Sequence, residues 1–239
     1  QGLIRRPHGI LLVTGPTGSG KTTTLYAALN ALVNSEIKVL TVEDPVEYHL
    51  RGVNQIPVDP QVGMTFERGL RAILRHDPDV LMIGEIRDLE TARAAIAAAL
   101  TGHLVLSTLH TNDAASAPMR LLDMGVEPYL VSSTLIGAMA QRLVRTICPK
   151  CRTTDPADPR TLPEDLGWRP GDVLHRGAGC EACRGTGFRG RTGLYELLTI
   201  NEPLAECILH RRPPPELIRA GREDGLRLLR EDGWIKVRQ

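Results

Sequence analysis

Four short apolar runs, at residues 10–14, 37–42, 80–84 and 104–109, have strand length and no polar alternation. Such runs suit strands buried on both faces of a parallel sheet. Between them, residues 21–34, 66–76 and 89–100 read as helices. In the second, Phe66, Leu70, Ile73 and Leu74 fall at i, i+4, i+7 and i+8, with Arg68, Arg71 and Arg75 off that stripe. The alternation predicts an α/β core joined by right-handed crossovers.

Beyond residue 109 the pattern predicts two helices, the first capped by Asn112 and stopped by Gly125, the second over 129–145. Pro118 means that the first helix either kinks or starts later, because proline has no N–H to donate. From 148 to about 193, periodicity gives way to Cys, Gly, Pro and Arg, which marks a separate small module. Helical patterning returns over 194–239, broken by Arg211-Arg212-Pro213-Pro214-Pro215, expected to be a stiff connector. It continues to Gln239 without a stop signal, and the chain opens on Gln1 rather than methionine. Both ends are therefore expected to be cuts within a longer protein.

Composition narrows the function classes. With 42% hydrophobic and 24% charged positions, the chain can bury a core without help from disulfides. Twenty-nine basic against 28 acidic residues leave a net charge of +1, and aromatics are 3%, so neither a global field nor stacking platforms favour nucleic acid. Residues 94–100 form the longest apolar stretch, far short of a membrane span, and there is no secretion signal; a cytoplasmic protein is expected.

The strongest chemical signal is Gly15-Pro16-Thr17-Gly18-Ser19-Gly20-Lys21-Thr22, followed by Thr23, between the first strand and a helix. This is the G-x-x-x-x-G-K-[ST] phosphate loop. Its glycines let backbone N–H groups converge beside a positive helix end. Lys21 is expected on the β and γ phosphates, Thr22 on Mg²⁺, and Ser19 with the loop amides on phosphate oxygens. Open parallel sheets bind ligands outside the carboxyl ends of their strands, and those ends carry Glu43-Asp44, Glu85 and His110. Glu85 is expected to organise the Mg²⁺ shell, directly or through water, as is Asp44. Glu43 is the first choice for polarising attacking water, although the two glutamates' roles are exchangeable on the sequence.

His103 and His110 cannot share an ion: seven strand steps separate them by roughly 23 Å and put them on opposite faces. His110 is expected near the γ phosphate, whereas His103 reads as structural or a subunit contact. His8, His49, His76, His175 and His210 read as solvated or hydrogen-bonded. The pairs Cys148/Cys151 and Cys180/Cys183 form two C-x-x-C knuckles with 29 positions from 151 to 180, so the segment between must loop out. Four thiolates suit a closed structural Zn²⁺ site; Cys207 is left over.

GPTGSGKT at Gly15, TVEDPVEY at Thr41, LRHDPDVLMIGEIRD at Leu74, TGHLVLSTLHTNDA at Thr101, AQRLVRTICPKC at Ala140 and RGRTGLYELL at Arg189 together resemble the type II secretion ATPases of GspE type, in the secretion ATPase superfamily. They correspond to that family's Walker A, aspartate-box, Walker B, histidine-box and tetracysteine motifs. The type IV pilus assembly ATPases are the nearest competitor. Two departures are His76, where relatives commonly carry Gln, and Pro118.

The resemblance implies a RecA-like P-loop core over 1–147, a zinc module over 148–193 and a helical region over 194–239, with N-terminal domains absent. It also implies ATP hydrolysis with Mg²⁺ and Zn²⁺ by a homo-oligomer, usually a hexamer. The ring would sit at the cytoplasmic face of the inner membrane, reaching the membrane only through GspL-like and GspF-like platform proteins. On the residues alone, a small-molecule kinase, a nucleic-acid translocase and a nucleotide-gated docking module stay open.

Overall fold

The computed structural model describes residues 2–155 and 172–238. Strands β1 (Gly9–Thr14), β2 (Val39–Glu43), β4 (Val80–Ile83) and β5 (Leu104–Leu109) match the four apolar runs. Three further strands complete a seven-stranded sheet: β3 (Val53–Pro57), β6 (Leu135–Ile147) and β9 (Phe188–Thr199). Its order is β3-β2-β4-β5-β1-β6-β9, parallel throughout except for the antiparallel β6–β9 pair.

Alternate residues of each strand feed two cores. Leu11, Val13, Met82 and Leu106 face α1 (Lys21–Leu32), which buries Leu25, Tyr26 and Leu29 against them. Ile10, Leu12, Val42, Ile83 and Val105 face the opposite side, towards α2 (Phe66–Ile73) and α3 (Leu89–Leu100). Thr65 caps α2 by accepting from Arg68 N at 3.2 Å, and Asp88 caps α3 by accepting from Thr91 N at 2.7 Å. Each cap satisfies a donor that the first turn leaves free. His103 closes the far end of α3, its Nδ1 lying 2.9 Å from Ala98 O and 3.0 Å from Thr101 Oγ1, in keeping with a structural role.

Three expectations need correction. The helix drawn over 129–145 is only α5 (Pro128–Thr134); from Leu135 the chain is strand β6. Leu, Ala, Met, Gln and Arg favour helix, and a run buried on both faces has no period to betray a strand. Pairing with β1 on one side and β9 on the other outweighs that propensity. Next, α4 (Ser116–Asp123) starts later than an Asn112 cap implies: Asp113 Oδ1 accepts from Ser116 N at 2.7 Å. Pro118 then falls in the first turn, where its missing N–H has no intrahelical partner to lose. Finally, the break at the proline run is shorter than expected: residues 210–213 join α6 (Glu202–Leu209) to α7 (Pro214–Glu223), which takes in Pro214 at its first position and Pro215.

Strand β9 runs through residue 193 as an edge of the main sheet. Its Glu196 is buried, accepting from Ala114 N at 2.8 Å and from Leu229 N, at the start of α8 (Leu229–Arg238), at 3.1 Å. Burial raises its pKa, and the two amide donors only partly oppose that. Among the described residues, no helix is long and apolar enough to cross a membrane.

Candidate active site and cysteine cluster

The phosphate loop connects β1 to α1 and packs on β6. Gly15 (φ +151°) and Gly20 (φ +87°) have backbone conformations that favour glycine. A Cβ at Gly15 would lie 2.5 Å from Gln141 O, and one at Gly20 2.8 Å from Gln141 Nε2. Glycine is needed here for close approach as well as for backbone freedom. Lys21 Nζ donates to Gly15 O at 2.9 Å and Pro16 O at 3.1 Å, curling back over its own loop. Burial lowers its pKa; Glu85 opposes that shift and Arg142 adds to it. Ser19 Oγ is buried with no hydrogen-bond partner, an orphaned polar atom that a phosphate oxygen would satisfy.

A cavity of about 490 Å³ opens at the carboxyl ends of β1, β2, β4 and β5. Thr17, Gly18, Gly20, Lys21, Thr22 and Thr23 line it, as do Glu43, Asp44, Glu85 and His110 on the facing side. Glu85 sits between Arg87, with which it forms a close ion pair, and His110, whose Nε2 is 3.4 Å away. Thr108 fixes the backbone around it: its Oγ1 donates to Gly84 O at 2.7 Å, and its carbonyl accepts from Ile86 N at 3.0 Å. The loop carrying His110 is tied to β1, since Thr111 N donates to Thr14 Oγ1 at 2.8 Å.

Glu43 is held differently. Its side chain is 2% exposed and both oxygens are occupied, Oε2 by Tyr26 Oη and Oε1 by Thr41 Oγ1 and, at 3.0 Å, Gln55 Nε2. Burial and this carboxylate push the Tyr26 phenol's pKa well up. The first choice for polarising water thus stands in a closed network, whereas Glu85 shares the open side with His110. Gln141, Arg142, Leu143, Thr111 and Arg191 also build the site and escaped sequence reasoning. Leu143 and Arg191 line the cavity, and Arg142 Nη2 donates to Asn112 O at 2.7 Å. All five lie in segments that carry the family resemblance, but for Gln141, Arg142 and Leu143 the helical pattern hid that they sit on a strand beside the phosphate loop.

The four cysteines converge at the far end of the β6–β9 hairpin. All four sulfurs lie within 4.8 Å of one another, with neighbouring pairs at 3.7, 3.8 and 4.0 Å. Tetrahedral Zn²⁺ with Zn–S near 2.3 Å requires S···S of about 3.8 Å, so the set fits zinc. Backbone N–H groups of Cys180 and Gly187 point at Cys183 Sγ, each at 3.2 Å, and hold its pKa down to about 6 against the effect of burial. A two-stranded ribbon of β7 (Arg152–Thr154) and β8 (His175–Gly177) joins the knuckles, and Gly177 and Gly187 approach so closely that neither has room for a side chain. The expected loop between the knuckles includes 156–171, which lie outside the described residues.

Strand order and phosphate loop narrow the fold to few families, and one comparison decides among them. The model of the type II/IV secretion system protein family matches residues 1–239. The chain belongs to this family. Within it, the chain is 56% identical over 235 residues to the type II secretion system protein HxcR of Pseudomonas aeruginosa, covering 98% of the chain and 47% of that protein. It is 55% identical over 239 residues to the type II secretion system ATPase E of Vibrio cholerae, at 99% and 47% coverage. The type IV pilus assembly ATPase PilB of Thermus thermophilus is 48% identical over 241 residues, at 99% and 27% coverage. The chain therefore spans about half the length of the curated type II secretion relatives it matches. Among solved structures, the pilus retraction motor PilT with bound ADP superposes with a TM-score of 0.65 at 30% identity, covering 96% of this chain and 62% of that one. The Legionella pneumophila ATPase DotB gives 0.69 at 28% identity, with 98% and 57% covered. These likenesses agree with the RecA-like α/β core expected for secretion ATPases.

Proposed function

We propose that the chain carries the ATP-hydrolysing centre of a type II secretion motor that drives pseudopilus assembly. The carrying observation is that Lys21, Thr22, Glu85 and His110 line one cavity at one end of the sheet, beside a phosphate loop whose buried Ser19 hydroxyl has no partner. Relatives named for type II secretion are 54–57% identical to the chain, against 48% for the pilus ATPase PilB, and this favours the secretion reading. In this reading residues 1–147 are the ATPase core, 148–193 the zinc module and 194–239 a mainly helical region, with β9 crossing the boundary at 193. The motor is a homo-oligomeric ring, a hexamer, cytoplasmic and peripheral to the inner membrane through GspL-like and GspF-like partners.

The triphosphate lies in the loop 15–22, with Lys21 leaving the Gly15 and Pro16 carbonyls for the β and γ oxygens and Ser19 Oγ gaining an acceptor. Mg²⁺ would be held by Thr22, with Asp44 and Glu85 reached through water, and supplies positive charge at the phosphates when bound. Glu85 takes the proton of the attacking water as the new O–P bond forms and the bond to the leaving ADP breaks. His110, beside Glu85, orients that carboxylate towards the γ phosphate. Glu43 keeps the β2 end in place from its closed network. Zn²⁺, held by Cys148, Cys151, Cys180 and Cys183, is structural.

Phosphate release by the full-length protein tests the reading. Lys21→Ala is expected to abolish it, and undiminished turnover would sink the assignment. Single-stranded DNA is expected to leave turnover unchanged; strong stimulation would point to a translocase instead.

A further inference from the structure

Gln141 lies on β6 next to Ala140, the partner of Thr14 at the end of β1, and is 2% exposed. Its amide bridges the phosphate loop and α1: Nε2 donates to Ser19 O at 2.8 Å, and Oε1 accepts from Thr24 Oγ1 at 2.7 Å. The Ser19–Gly20 peptide bond is trans, so its C=O and N–H point in opposite directions. Drawing Ser19 O towards the Gln141 amide therefore turns the Gly20 N–H away from that amide, in a loop whose Gly18, Gly20 and Lys21 line the cavity. Because the same amide holds Thr24 in the first turn of α1, loop and helix are kept in one relative orientation.

We propose that Gln141 is a positioning residue of the phosphate loop: through Ser19 O and Thr24 Oγ1 it sets the direction of the Gly20 N–H before the triphosphate arrives. It touches no reacting atom. The inference rests on the ATP reading above and adds what holds the loop ready. Preorganised donors bind an anion without first reorienting, so relaxing this peptide lowers affinity for the phosphate tail.

The test is calorimetric titration of the full chain with the magnesium complex of a non-hydrolysable ATP analogue. Gln141→Met keeps the volume but leaves Ser19 O and Thr24 Oγ1 unpartnered. Its Kd is expected to rise about tenfold or more with stoichiometry still near one per chain, whereas a merely structural defect would lower the stoichiometry and leave Kd unchanged. Thr24→Val, at a half-exposed helix position, is expected to raise Kd about threefold in the native background and not at all beside Gln141→Met. If Gln141→Met fails to fold, the single Thr24→Val variant decides. Native affinity in the folded variants would overturn the inference and leave the ATP reading standing. No binding by the unaltered chain would overturn the ATP reading itself.

Discussion

Glu43 and Glu85 end neighbouring strands with the same carboxylate and differ in what surrounds it. Three side chains occupy Glu43, so Glu43→Gln puts an amide N–H where a donor is already aimed. A buried group left unsatisfied costs about 1–3 kcal/mol. We expect thermal unfolding of Glu43→Gln to show that loss while phosphate release stays within about tenfold of the native rate. Glu85→Gln is expected to lower release about a hundredfold or more with nucleotide binding kept within a few-fold, as for loss of a general base. Single-turnover kinetics separates binding from chemistry, and the opposite ranking of the two variants would return the role to Glu43.

The β6–β9 hairpin joins two chemistries: its inner part holds Gln141, Leu143 and Arg191 at the loop and cavity, and its far end carries the cysteines. Elemental analysis is expected to find about one zinc per chain. Cys148→Ser or removal of the metal by a chelator should lower Tm by about 6–12 °C, equivalent to about 3 kcal/mol in a chain of this size. A metal-free protein with native Tm would rule out the zinc. Glu196 joins elements too, linking β9 to Ala114 and the start of α8. Because burial raises its pKa above the ordinary 4.5, its contribution to stability is fully present below 4.5 and is lost as pH rises through the raised value. The difference in Tm between the native chain and Glu196→Gln should therefore narrow as pH rises across that window. A constant difference would show that the carboxyl titrates no differently in the unfolded chain.

At the scale of the whole molecule, the open cavity, with His110 about half exposed beside Glu85, suits a centre completed by a neighbouring subunit. Turnover per chain of the full-length protein should rise with protein concentration and level off as assembly saturates; a flat profile would mean that each subunit works alone. Much of this architecture is local in origin. The phosphate loop, the four apolar strands, α1 to α3 and the paired C-x-x-C knuckles were legible because each follows from short-range pattern: glycines and a lysine at fixed spacing, apolar runs of strand length, helical periodicity. Strand β6 was not legible, because only its neighbours β1 and β9 decide whether a run of helix-forming residues extends into a strand. The same limit hid Gln141, whose partners Ser19 and Thr24 are more than a hundred positions away in sequence. It also left Glu43 and Glu85 interchangeable. The sequence determined which groups stand at the strand ends; the tertiary structure decided how each is held, Glu43 by Tyr26, Thr41 and Gln55 and Glu85 between Arg87 and His110, since only folding brings such neighbours together.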